Sequence, residues 1–145
     1  MKDFPHRYQV QAQARTEGTV SLSSSGLASL ETAPPAEFGG PGDRWSPETL
    51  LVGAVADCFV LSFRAVARAS QLEWISLDCR AEGVLDRIDK VTQFTEVIVR
   101  ATLRVPAGTN VERAERLLER AEQVCLISNS LKATKRLEAC VEVAS

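Results

Sequence analysis

The segment from Leu50 to Phe63 is apolar on nearly every side and is interrupted only by Asp57 and Ser62. Its start is well signalled. Ser46 suits the N-cap, Pro47 the first helical position, and Glu48 the positive end of the helix dipole. A helix apolar all round must be buried in the middle of a fold or against another subunit. The rest of the chain therefore has to be arranged around it. The end of the segment, Arg64 to Gln71, carries Arg64 and Arg68 where positive charge is favoured.

The flanking segments supply the layers. From Arg7 to Ser23, Tyr8, Val10, Ala12 and Ala14 share one face at period two, and Gly18 marks a turn. This reads as a β-hairpin, with a third short strand near Leu27 to Glu31. The run Pro34 to Gly42, rich in proline and glycine, forbids a helix or central strand and reads as a surface loop. Beyond the apolar helix, Ile75 to Glu82 and Phe94 to Val105 alternate as strands, with Asp86 to Lys90 as the turn between them. Asn110 caps a helix whose stripe is Val111, Ala114, Leu117, Leu118, Ala121, Val124 and Cys125, with Glu112 and Arg116 paired on its wet side. A break at Ser128 to Ser130 precedes a last strand, Arg136 to Val143. The order βββ-α-ββ-α-β lacks βαβ alternation and any glycine-rich phosphate loop. It predicts a single α+β domain over residues 1–145 with an antiparallel sheet.

Composition removes several functions. A formal net charge of −2 with no basic stripe argues against a nucleic-acid partner. The longest uninterrupted apolar run, Leu50 to Ala56, is far short of the roughly 20 residues that span a bilayer. No leader is visible at Met1 to His6, so the expectation is a cytoplasmic protein without membrane attachment. The single histidine, His6, near the terminus, and the lack of any CxxC pair make a metal site improbable.

Four cysteines remain, and in a cytosolic chain a disulfide between any two is more often transient than structural. Cys79 fits the buried face of a strand, and Cys140 lies on the same alternate face as Glu138 and Glu142. Cys58 and Cys125 sit in helical stripes, where cysteine also serves as a small hydrophobe. For Cys58 to react it must be ionised. A thiol with the reference pKa near 8.5 is only about 3% thiolate at pH 7, and lowering it to roughly 6.5 takes about 2.7 kcal/mol. One guanidinium roughly 4 Å away supplies up to about 4 kcal/mol at an effective dielectric of 20. Glu48, ten residues before Cys58 and so about 15 Å along the helix, cannot touch it but can anchor such a cation. Arg15 and Arg44 are the candidates.

Two blocks carry a resemblance. The first is Gly39-Gly40-Pro41-Gly42, then Ser46-Pro47-Glu48 with Leu50-Leu51, then Ala54, Ala56 and Cys58-Phe59. The second is Ala121-Glu122, Cys125, Ile127-Ser128-Asn129 and Leu131. Together the chain resembles the OsmC/Ohr family of thiol peroxidases over nearly its whole length. The family's proline after the second cysteine is replaced by Leu126, and the arginine turn, Arg15 to Gly18, is one residue longer.

The resemblance implies an OsmC-like fold in an intertwined homodimer, with Cys58 peroxidatic, Cys125 resolving, and Arg15 and Glu48 activating the thiolate. The implied substrate is an organic hydroperoxide. The implied reductant is an external dithiol, a lipoyl protein or a small thiol, and no cofactor or metal is needed. Phe38 and Trp45 either line an apolar pocket or cover the core. The alternatives are an OsmC-like protein that binds a small apolar ligand without turnover, and a redox sensor.

Overall fold

The computed structural model describes residues 2–145, which fall into two compact units that divide between Leu50 and Leu51.

The N-terminal unit carries a three-stranded antiparallel sheet of β1 (Gln11–Gln13), β2 (Val20–Ser23) and β3 (Leu30–Thr32). The expected hairpin and third strand are present but short. Tyr8 and Val10 lie outside the strands and are exposed, so their period-two face covers nothing within the unit. In the proline-glycine loop a single 3-10 turn, Ala36–Phe38, does form. Pro35 precedes it in an extended conformation, and Gly39 closes it at φ 84°, so the breakers bound the turn without interrupting it. Gly40 is irreplaceable for another reason: a Cβ there would lie 1.7 Å from the Pro34 carbonyl oxygen. The loop is tied back where the Ala33 N–H donates to the Trp45 carbonyl.

The C-terminal unit is built on a three-stranded sheet, β4 (Ser76–Ile88), β5 (Val91–Val105) and β6 (Thr134–Val143), in that order. β4 and β5 are longer than their apolar runs because the hairpin needs only Asp89 and Lys90 to turn. Both have positive φ, 51° and 68°, as a type I′ turn requires. β5 and β6 pair in parallel, unlike the all-antiparallel sheet expected from sequence. The helical crossover between them carries the chain back to the starting end, so the last strand must run with its neighbour. Alternation then sorts the sheet. Leu77, Cys79 and Ala81 of β4 and Val97, Val99, Ala101 and Leu103 of β5 face the core. On the outer face Arg100 bridges Glu82 at 2.8 Å and Glu138 at 3.2 Å, exposed pairs that contribute little each.

Helix α1 (Pro47–Ala69) begins as expected, with the Thr49 N–H donating to Ser46 Oγ at 3.1 Å and the Ser46 N–H to Thr49 Oγ1 at 2.8 Å. Only Val55, Phe59, Phe63 and Ala67 are buried along it. The expectation of burial all round is not met within one chain, and Leu61 remains half exposed. The membrane argument from the seven-residue run also needs correcting. At 23 residues the whole helix is long and apolar enough to cross a bilayer by length and composition, although one face is seated in the core. That face meets β4 at one point and the segment just before β4 at another. A Cβ on Gly83 would come within 2.7 Å of Val52 Cγ2, and Phe63 meets Trp74 edge-on with centroids 5.4 Å apart. Helix α2 (Val111–Val124) is capped by Asn110, which accepts from the Arg113 N–H at 3.1 Å, and packs on β6 through Ala114, Leu118 and Ala121. It is followed at once by the single turn α3 (Leu126–Asn129).

Candidate active site

Cys125 is where the second helix stops. Its backbone is extended, φ −64° and ψ 103°, and it serves both as the C-cap of α2 and as the N-cap of α3. The expected helix therefore ends one residue before the cysteine, and a new one starts after it. The restart is held by the Cys125 carbonyl, which accepts from the Asn129 N–H at 3.0 Å and from Ser128 Oγ at 3.2 Å. The Cys125 side chain is sealed, at 1% exposure.

A helix start leaves its first backbone N–H groups without intrahelical partners. The Cys58 thiol, half-buried on α1, shares a 3.9 Å contact with the Ser62 hydroxyl, and the Ile127 and Leu126 amides and the Cys125 side chain favour its charged form. Burial alone would push the Cys58 thiol up, yet these donors outweigh it, led by the Ile127 amide, and hold the thiol below its ordinary value. Cys58 and Cys125 are thus brought together, both as free thiols. The donors are amides, a thiol and a hydroxyl, a source of stabilisation the sequence argument, looking to a guanidinium, did not include. One signal was present: Ser62 stands four residues after Cys58 on one helix face.

Cys79, on the core face of β4, has the opposite fate. Burial, the Asp78 carboxylate and the neighbouring Cys125 push it up to about 11. Cys140 is exposed on β6 in register with Thr102, and so on the far side of the sheet from Cys79, whose own partner is Ala101.

The other sequence candidates lie in the N-terminal unit. Glu48, in the first turn of α1, lines a cavity of about 420 Å³ with Val20, Leu22, Pro35, Phe38 and Leu50. Its Oε1 is buried without a hydrogen-bond partner. Phe38 lines this space and Trp45 does not. Arg15 sits in the exposed link between β1 and β2, and Arg44 just before Trp45. Among the described residues neither arginine is ion-paired, so Glu48 and Arg15 are not joined. Among the described residues no cluster of histidine, cysteine and carboxylate side chains is arranged to hold a metal ion.

The chain and its fold have counterparts among known proteins. The family model described as OsmC-like protein matches residues 40–139, which contain both cysteines. An uncharacterised protein of Bacillus subtilis, YmaD, is 27% identical over 122 residues, covering 82% of this chain and 81% of the relative. Peroxiredoxin OsmC of Escherichia coli is also 27% identical, over 124 residues, covering 86% and 85%. A solved structure from Legionella pneumophila, described as an organic hydroperoxide resistance protein OsmC, superposes with a TM-score of 0.76. It is 26% identical and covers 97% of this chain and 99% of its own.

Proposed function

Because the chain belongs to the OsmC-like protein family, we propose that it is a thiol peroxidase that reduces organic hydroperoxides to alcohols. Relatives named peroxiredoxin and organic hydroperoxide resistance protein support a peroxidase role at this level of identity. What supports the finer reading is the Cys58 thiol, held below its ordinary value beside the start of α3, with the Cys125 side chain among the groups that lower it.

In the proposed cycle the Cys58 thiolate attacks the distal peroxide oxygen. The O–O bond breaks, and with one proton the products are a Cys58 sulfenic acid and the alcohol. The Cys125 thiol then displaces water from that sulfenic acid to form a Cys58–Cys125 disulfide. An external dithiol, a lipoyl protein or a small thiol, reduces it by exchange. Arg15 and Glu48 act in peroxide positioning, as the family resemblance assigns them. A second copy of the chain covers the apolar face of α1 that one chain leaves open, making a homodimer. A cytoplasmic location fits thiols that must be kept reduced.

Stopped-flow mixing of the reduced protein with cumene hydroperoxide tests this. Rapid loss of the Cys58 thiol and release of cumyl alcohol are expected. Full peroxide consumption by Cys58→Ser would overturn the assignment.

One observation favours a second reading, binding of a small apolar ligand without turnover: the cavity beside the unpartnered Glu48 oxygen. Tight ligand binding by a protein whose thiols survive peroxide would replace the first reading with this one.

A further inference from the structure

Lys135 is a charged residue on the inward face of a strand. On β6 it shares that face with Leu137 and Val141, which pack on the core, while Arg136 and Glu138 pair on the outer face at 3.2 Å. It lines a cavity of about 500 Å³ between α2 and β6, together with Glu115, Glu119 and Glu122. With those carboxylates bordering the same space, an ion pair is the ordinary outcome for a half-buried lysine. Among the described residues Lys135 forms none. Its ammonium donates instead to the Glu122 carbonyl oxygen at 3.1 Å and to Asn129 Oδ1.

Both acceptors belong to the corner at Cys125. The last carbonyls of a helix lack intrahelical partners and carry the negative end of its dipole. Helix α2 has no basic residue in its own last turn, so β6 supplies the charge from across the cavity. The Glu122 carbonyl also accepts from the Cys125 N–H at 3.3 Å, and the Asn129 N–H donates to the Cys125 carbonyl at 3.0 Å. Lys135 therefore closes a ring. On one side it runs from the ammonium through the Glu122 oxygen to the Cys125 N–H, and on the other through Asn129 to the Cys125 carbonyl. Asn129 Nδ2 braces the ring by donating to the Gln123 carbonyl at 2.9 Å. Both backbone groups of Cys125 are thus held in one network, which a single side chain of β6 completes.

We propose that Lys135 is a positioning residue for the resolving step, holding the backbone of Cys125 so that its thiol captures oxidised Cys58. The inference rests on the peroxidase reading for that step. In it the Cys125 sulfur attacks the sulfur of the Cys58 sulfenic acid and the S–S bond forms. The S–O bond breaks, and the hydroxide leaves with the Cys125 proton as water. Lys135 takes no part in these bond changes and acts through the corner alone. A misplacement of about 1 Å can cost roughly 100-fold in rate where two groups must meet in one geometry. With the corner released, oxidised Cys58 waits longer, and a second hydroperoxide converts its sulfenic acid to sulfinic acid. Lys135 therefore sets how oxidised Cys58 divides between a disulfide that a dithiol can reduce and a dead end.

The test uses three variants of the full chain. Lys135→Met keeps an unbranched stem and drops the ammonium, Lys135→Arg keeps charge and donors, and Asn129→Ala opens the ring on its other side. Each reduced protein is mixed with cumene hydroperoxide, quenched with acid at intervals, alkylated and mapped by mass spectrometry. Loss of the Cys58 thiol and appearance of the Cys58–Cys125 disulfide are followed as separate rates. In Lys135→Met thiol loss should stay within about twofold, while disulfide formation slows about tenfold or more. Cys58 sulfinic acid should accumulate with excess peroxide. Lys135→Arg should recover most of the lost disulfide rate, and Asn129→Ala should slow that step alone. A residue that only supports the fold would slow both steps by the same factor. That result, or an unchanged disulfide rate in Lys135→Met, overturns the proposal. If Lys135→Met does not fold, the same two rates in Asn129→Ala decide. If peroxide leaves the Cys58 thiol of the unsubstituted protein intact, the peroxidase reading fails, and the thiol oxidant diamide replaces peroxide. Diamide adds to Cys58 and is displaced as its hydrazine by the same Cys125 attack, so slower closure in Lys135→Met still supports the proposal and equal closure overturns it.

Discussion

Cys58 and Cys79 occupy the same unit and border the same core, yet their thiols are driven in opposite directions. Both lose solvent. What separates them is the electrostatics of what replaces it. Cys58 meets the start of α3, where amides left free by helix geometry point outward as donors. Cys79 sits on the core face of a strand, where burial disfavours the charged form and the adjacent Asp78 carboxylate repels a second negative charge. Burial alone thus makes an inert cysteine. Burial against an unfilled helix terminus makes a nucleophile.

The most severe test of this contrast removes the nucleophile. Cys58→Ser should lower peroxide turnover by about 1000-fold or more, because a serine hydroxyl cannot be ionised by these donors. Turnover of organic hydroperoxide with a dithiol reductant measures it, and near-normal activity would end the comparison. Next in size is Cys125→Ser. Its hydroxyl can still donate to Cys58, so the first reduction should survive at close to the original rate. Steady-state turnover with a dithiol should drop by about tenfold or more, because the disulfide intermediate is gone. Single-turnover and steady-state rates on one preparation separate the two effects.

The pH dependence then compares the cysteines directly. Cys58 has its folded-state pKa lowered, so its thiolate persists as pH falls below the ordinary cysteine range and is lost only on passing the lowered value. Its alkylation by iodoacetamide should therefore be half-maximal below 9.0, the ordinary cysteine value. Cys79 runs the other way: its alkylation should climb only toward about 11. Linkage has the matching sign. A raised folded-state pKa means the unfolded chain gives up that proton first. The contribution of Cys79 to stability is thus present below 9.0, its ordinary value, and is lost as pH rises toward about 11. Peptide-resolved alkylation across pH checks both directions at once.

Much of this was legible in the sequence, and the failures have physical causes. Helix α1 could be started at Ser46 and α2 capped at Asn110 because caps are local chemistry. Both site cysteines could be named because each stands in a block that resembles a family. The turn α3 could not be read. A four-residue helix has no periodicity, and Ser128-Asn129-Ser130 looks like a break until Cys125 is seen to cap it. The parallel setting of β6 was hidden because strand direction is decided by the crossover, not by the strand's own residues. The extent of β4 was hidden by Asp86 and Arg87, polar residues acceptable on an exposed hairpin arm. The exposed apolar face of α1 looked buried because hydropathy reports a need for cover without saying which chain supplies it.

The smallest effect is the most discriminating, because it changes one hydrogen bond at the Cys58 sulfur and nothing else. Leu126 is the first residue of α3, and its N–H is the weakest of the donors that stabilise the Cys58 thiolate. Proline is favoured at a first helical position, where its missing N–H costs the helix no internal bond. The residue before a proline must be extended, and Cys125 already is, at φ −64° and ψ 103°. The Leu126 side chain is 64% exposed, so little packing is lost. Leu126→Pro should therefore fold normally while the Cys58 pKa rises. The pH–rate profile for peroxide consumption should move to higher pH, with a loss of about two- to fivefold well below the pKa and none well above it. A uniform loss at every pH would mean that the substitution had displaced Cys125. An unchanged profile would mean that the α3 amides do not set the difference between Cys58 and Cys79.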